Sequence, residues 1–166
     1  MPILALLLAA AVQADSPMDP HLQPLAFLVG SCWRGSFPGG AQTDTHCFTQ
    51  TPDGHTLRDR HVVAGAAAPY SGVTFYRWDA AAGSLKYDYL ASDGSYSDGA
   101  VRPTADGLDF PEGVYRAPDG VESGVRSAWT RDGADAYSVH TELRQGESWQ
   151  TILRLRMVRV GPAPPD

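Results

Sequence analysis

Three residues of this chain have the types and spacing to do proton chemistry. In "THCFT" stands His46, and in "LRDRHVV" Asp59 and His61 stand two residues apart. On an extended strand, residues i and i+2 project from one face. A carboxylate beside an imidazole accepts its hydrogen bond and favours the protonated ring. Such a cluster could orient a polar group of a ligand or pass a proton. The same residues could equally satisfy one another inside a core, or lie exposed in a different register. His140 and Glu142, in "SVHTEL", form a second such pair. The chain contains no Gly-x-Ser-x-Gly elbow, His-Glu-x-x-His, P-loop or dinucleotide fingerprint. No catalytic residue and no metal-ligating set is therefore assigned.

The elements that must position these residues are strands. Asp-Gly pairs recur at Asp53, Asp93, Asp98, Asp106, Asp119 and Asp132, with Gly39-Gly40, Gly83 and Gly146 as further corners. Asp and Gly both tolerate the positive φ of tight turns. Between them lie short segments rich in Val, Thr, Tyr, Trp and Phe, and turns recurring every 8–12 residues or so mark a sandwich or barrel. Strands are expected near 31–37, 42–50, 55–64, 71–78, 84–91, 95–102, 107–111 and 113–116 (two strands, or one broken at Pro111, which makes ten), 121–130, 135–144 and 149–160. "ASDGSYSDGAV" reads as two turns. Asp19 to Val29 reads as one short helix, capped by Asp19, apolar through Leu22, Leu25, Phe27 and Leu28, and ended by Gly30. An open sheet of so many hairpins leaves edges exposed. The expected fold is therefore all-β: a closed up-and-down antiparallel barrel of about ten strands with one short N-terminal helix.

The two cysteines make the first hairpin specific. Cys32 and Cys47 are equidistant from Gly39-Gly40, so a hairpin folded about those glycines sets them face to face. In an oxidising compartment they should close into a structural disulfide. That register puts Cys32, Arg34, Thr45 and Cys47 on one side and Trp33, Phe37, His46 and Phe48 on the other. The aromatic side is expected to look inward. Carried through the turn at Gly54, the register also points Leu57, Asp59 and His61 inward, unless a bulge at Gly54 exchanges the faces. Tyr87 and Tyr89 share one face of a later strand. Near the C-terminus, Tyr137, Val139, Thr141 and Leu143 meet Trp149, Thr151, Leu153, Leu155 and Met157 on one face if the turn at Gly146 has three residues. His140 and Glu142 then point outward; another register brings them in beside Trp149.

The chain opens with "MPILALLLAAAVQADS". An apolar run ending in small residues is the pattern of a cleaved signal peptide, and it falls short of the roughly 20 residues of a spanning helix. Residues 1–14 are expected to be removed, 15–160 to form the barrel, and 161–166 to be a flexible tail. The expected location is outside the cytoplasm, in a bacterial periplasm or beyond. A net charge of −6 with scattered arginines excludes the basic face that nucleic acid requires. Charges on both alternating faces, as at Arg58, Asp59 and Arg60, oppose the apolar band of an outer-membrane barrel.

"PLAFLVGSCWRG", "YRWDAAAGSLKYDYLASDG", "WTRDGADAYSVHTEL" and "SWQTILRLRMVRV" resemble exported bacterial calycin-like proteins. The calycin superfamily includes lipocalins and fatty-acid-binding proteins. The Gly30–Trp33 spacing is one residue longer than the lipocalin Gly-x-Trp. The resemblance implies that an Arg of the last strand, Arg159 or Arg156, packs over Trp33 to close the floor. A closed barrel in an exported protein most naturally holds a small apolar or amphipathic molecule, and the inward register offers Trp33, His46, Phe48, Asp59, His61, Tyr87 and Tyr89 as candidate contacts. No cofactor is expected: nitrobindin-like barrels bind haem through a His, and their signature is not evident here. Two other functions stay open, an enzyme or haem-binding protein built on the interior His and Asp residues and an envelope structural or interaction protein presenting its turns.

Overall fold

The computed structural model describes residues 16–164. The expected leader, residues 1–14, lies outside them. Ten antiparallel strands follow in chain order: β1 (Ser31–Ser36), β2 (Thr43–Gln50), β3 (Thr56–Ala64), β4 (Tyr70–Asp79), β5 (Ser84–Ala91), β6 (Tyr96–Pro103), β7 (Gly107–Arg116), β8 (Glu122–Arg131), β9 (Ala136–Gln145) and β10 (Ser148–Pro162). Each pairs with its sequence neighbour, and β10 pairs with β1, so the barrel is closed. The architecture is consistent with a calycin-like fold.

The first hairpin has the register its cysteines imply. Cys32 faces Cys47, Trp33 faces His46, and the two sulfurs are bonded. No bulge interrupts β2 and β3: Gln50 pairs with Leu57, Phe48 with Asp59 and His46 with His61. Asp59 and His61 therefore point inward.

Several expectations are corrected. The helix is a 3-10 segment of Pro20–Leu25, shorter than the expected 19–29, because Pro24 inside it breaks the α-helical hydrogen bonding. Asp19 caps it by accepting from the His21 amide. Asp98-Gly99 is not a turn. It lies within β6, and Gly99 is the close-approach point for Tyr87, whose ring carbon would sit 2.8 Å from an added Cβ. Only Asp93-Gly94 turns the chain there. β7 is one strand, with Pro111 and Glu112 bulged out between Phe110 and Gly113, a position where Pro removes no ladder bond. The β9–β10 turn has two residues, since Gln145 pairs with Ser148, and a bulge between Thr151 and Leu153 then reverses the faces. Trp149 and Thr151 consequently face outward, while Leu153, Leu155 and Met157 face the core. His140 and Glu142 point outward. The last strand reaches Pro162, and the Ala163 amide bonds Gly30.

The helical segment plugs one end. Leu22, Leu25 and Leu28 are fully buried against Trp33. Trp33, Tyr137 and Phe27 meet edge to face with centroids 5.2–6.3 Å apart. Arg159, rather than Arg156, lies over Trp33, 4.3 Å from its ring centre, because Arg159 shares the inward phase of Leu155 and Met157. Arg156 points out to Asp132. The Arg159 guanidinium also donates to Asp135 at 3.0 Å, to the carbonyls of Phe27 and Ala134, and to Ser31. It thereby ties β1, β10, the start of β9 and the plug at one point.

Two stability changes are expected, read by urea unfolding. Arg159→Met keeps the stem but removes the cation and its donors, and should cost about 2 kcal/mol. Replacing both cysteines by serine opens a 15-residue separation and should cost about 3 kcal/mol; a loss under about 0.5 kcal/mol would mean the hairpin needs no staple.

Candidate functional site

The site is built on β2 and β3, where alternation sends Asp44, His46 and Phe48, and Leu57, Asp59 and His61, to the interior. Asp44 and Asp59 are buried, and His61 is 5% exposed. His46 Nδ1 donates to Asp59 Oδ2 at 2.7 Å and its Nε2 to Asp44 Oδ2 at 3.1 Å. Both ring nitrogens therefore face carboxylate oxygens, which only accept, so His46 is held as an imidazolium. Burial works against that charge, but Asp59 and Asp44 outweigh it and raise the His46 pKa to about 10. Burial likewise opposes the charge of Asp44, and the hydrogen bonds from His46 and His61 hold its carboxyl well below the usual range.

The chain of bonds continues across the barrel. His61 Nδ1 donates to Asp44 Oδ1 at 2.9 Å, leaving Nε2 to accept from the Tyr89 hydroxyl at 2.9 Å, which in turn meets the Tyr70 hydroxyl at 2.9 Å. The two imidazoles stack with centroids 4.7 Å apart. Gly72 makes room: a Cβ there would lie 2.6 Å from His61 Nε2 and 2.4 Å from the Tyr89 ring. Burial, then the Tyr70 hydroxyl, pushes the Tyr89 phenol far up, so it stays a neutral donor. One buried oxygen in the cluster, Asp59 Oδ1, has no hydrogen-bond partner.

Beside the cluster lies a cavity of about 160 Å³. Its walls are mainly Tyr76, Tyr87, Phe110, Trp129, Tyr137 and Leu155, with hydroxyls from Thr74, Ser97, Ser127 and Thr141. His46 is the member of the charged cluster on that wall, and keeps 19% side-chain exposure there. Tyr87, pushed up to about 12 by burial, also stays neutral.

The candidate residues thus separate into three groups. His46, Tyr87 and Tyr89 line the cavity. Asp59 and His61 stand behind it in the hydrogen-bonded cluster. Trp33 and Phe48 are fully buried in the packed floor. His140 and Glu142 belong to an outer groove, where His140 bonds Thr151 and Glu142 bonds Arg126. Asp44 and Tyr70 escaped the sequence reading. Asp44 was within reach, being two residues before His46 on the same strand face; Tyr70 was not, because its place beside Tyr89 depends on the β4–β5 register.

Asp44, His46 and His61 could together hold a metal ion, with one donor atom from each lying within 4.8 Å of the others. No helix among the described residues is long and apolar enough to cross a membrane. No family model matches the chain, and no curated protein matches it.

The cluster makes stability pH-dependent, with a definite sign. His46 is raised from 6.5, so its contribution is complete below pH 6.5 and fades as pH rises toward about 10. Asp44 is lowered from 3.8, so its contribution is complete above pH 3.8 and is lost under stronger acid. Unfolding free energy should therefore be greatest between these values. It should fall above pH 6.5 by at most about 1.4 kcal/mol per pH unit. His46→Gln should flatten that alkaline limb; an unchanged slope in the variant would assign the limb to other groups.

Proposed function

We propose that this chain is an exported calycin-like binding barrel whose lumen takes a small, neutral, ring-bearing molecule. The observation carrying the reading is the cavity of about 160 Å³ walled by aromatic rings and edged by hydroxyls. An apolar cavity of about 150 Å³ accommodates benzene, whereas drug-sized ligands occupy about 300–1,000 Å³. A single ring with a short polar substituent suits this space; a porphyrin or a long acyl chain exceeds it. Trp129, stacked on Tyr137 at 5.3 Å and tilted against Phe110 at 4.9 Å, offers a face to such a ring. Neutral phenols and hydroxyls supply hydrogen bonds for the substituent.

The charge on the wall is already paired: the His46 imidazolium lies between Asp44 and Asp59, and Arg126, the other cation there, bonds Glu142. A neutral ligand leaves those pairs intact, whereas a charged one must compete with them. The Cys32–Cys47 bond supports an oxidising compartment, and with it export. The Trp33–Arg159 contact supports calycin membership, since it occupies the place the resemblance assigns to that pair.

The test has two arms. Native mass spectrometry of protein from its own cell envelope should show a chain beginning at Asp15, with or without a bound compound. Phenol, indole, benzylamine, benzoate and palmitate are then titrated while the Trp129 indole resonance is followed. Phenol or indole should shift it saturably, and benzylamine and benzoate at least about tenfold more weakly. Val139→Phe, which fills the lumen, should weaken binding by about tenfold or more. No shift with phenol or indole would show the lumen to be core space rather than a binding site.

A further inference from the structure

We infer that Asp44, His46 and His61 form a site for a divalent transition-metal ion of the zinc class, with Asp59 and Tyr89 orienting the two imidazoles from behind. The inference does not rest on the lumen's organic ligand and can fail or hold separately from it. The donor set is two imidazole nitrogens and one carboxylate, which suits zinc and its borderline neighbours. The cysteines are committed to their disulfide and play no part.

The stronger argument is what stands behind each donor. A ligating His commonly has its second nitrogen fixed by a carboxylate or hydroxyl. His46 presents Nε2 toward Asp44 while Asp59 holds its Nδ1 at 2.7 Å. His61 presents Nδ1 toward Asp44 while the Tyr89 hydroxyl holds its Nε2 at 2.9 Å. Both rings thus turn one nitrogen to a common carboxylate and have the other anchored outside it. The Asp19, His21 and His55 contacts on the surface lack this backing, and His55 is 74% exposed.

Charge points the same way. Without an ion the cluster keeps one surplus negative charge, with His61 neutral. A divalent cation would displace the His46 Nε2 proton to solvent. The His61 hydrogen would move from Nδ1 to Nε2 and donate to Tyr89, whose own hydrogen turns to Tyr70. The Tyr70–Tyr89 bond can run in either direction, so the relay remains satisfied. Two positive charges gained and one proton lost bring the cluster to neutrality. Metal–donor bonds near 2.0–2.1 Å require donors about 3.3 Å apart, so binding draws the stacked imidazoles together. Three protein ligands leave a fourth position for water or a small ligand.

Cobalt(II), a spectroscopic stand-in for zinc, is titrated into chelator-treated protein at pH 7.5. The expected result is one equivalent bound with visible ligand-field bands, about one proton released, and a raised melting temperature. Asp44→Asn and His61→Gln should each weaken binding by more than about 100-fold, Asp59→Asn by about 10–100-fold with the bands retained, and His55→Ala should change nothing. If a variant fails to fold, the wild-type histidine ring resonances decide: zinc must shift those of His46 and His61 and leave His140 unmoved. Absence of bands with an unmoved melting temperature, bands surviving in folded His61→Gln, or ring shifts confined to other histidines would overturn the site.

Discussion

Closure of the ring is the constraint from which the rest of this structure follows. Ten antiparallel strands leave no free edge only because β10 bonds to β1, and that seam is where Arg159 lies over Trp33. An even number of strands in an up-and-down barrel brings the chain's last strand antiparallel to its first. The indole is fully buried, so the cation above it works in a partly desolvated setting where a cation–π contact is strongest. The guanidinium's remaining donors are used on the plug, on β9 and on β1. The floor is thus a junction of segments far apart in sequence, and the interior above it can remain partly unfilled.

An enclosed interior changes the chemistry of what it encloses. Asp44, His46, Asp59 and His61 would be unremarkable on a surface, where water screens and solvates them. Inside the barrel each must find a partner, because a buried polar group without one costs about 1–3 kcal/mol. The pairing of β2 with β3 supplies those partners by stacking two histidines directly across from each other and setting an aspartate beside each. Gly72 on β4 then admits Tyr89, which carries the network to a third and fourth strand. Small residues here are part of the site: the hydroxyl reaches the imidazole only because the strand between them has no side chain at that place.

The two faces of the first hairpin divide the labour. Cys32 and Cys47 join its strands, with Arg34 and Thr45 bonded beside them on the side away from the lumen. Trp33, His46 and Phe48 project the other way into floor and cluster. A covalent bond on one side therefore holds the register that positions His46 and Asp44 on the other, one and three residues from Cys47 along β2.

Much of this was legible in the chain itself. The symmetric placement of two cysteines about Gly39-Gly40 determines a register that puts His46 on the aromatic side, while Asp59 and His61 join it only because no bulge at Gly54 interrupts the β2–β3 pairing, which the structure decides. Turn glycines with positive φ at Gly54, Gly94, Gly120 and Gly133 mark hairpins that Asp-Gly signals announce. Where the same dipeptide misled, at Asp98-Gly99, the glycine serves packing against Tyr87 rather than turning, and only the neighbouring strand decides which. The bulge between Thr151 and Leu153, which sends Trp149 outward, is likewise invisible locally, because an extra residue in a ladder costs little by itself and is selected by what the whole strand can bury. Alternation along one strand is a local property of an extended backbone and could be read from sequence. The meeting of Tyr70 with Tyr89, the orphaned oxygen of Asp59 and the size of the lumen depend on how ten such strands curve around one another, and only the closed tertiary structure sets that.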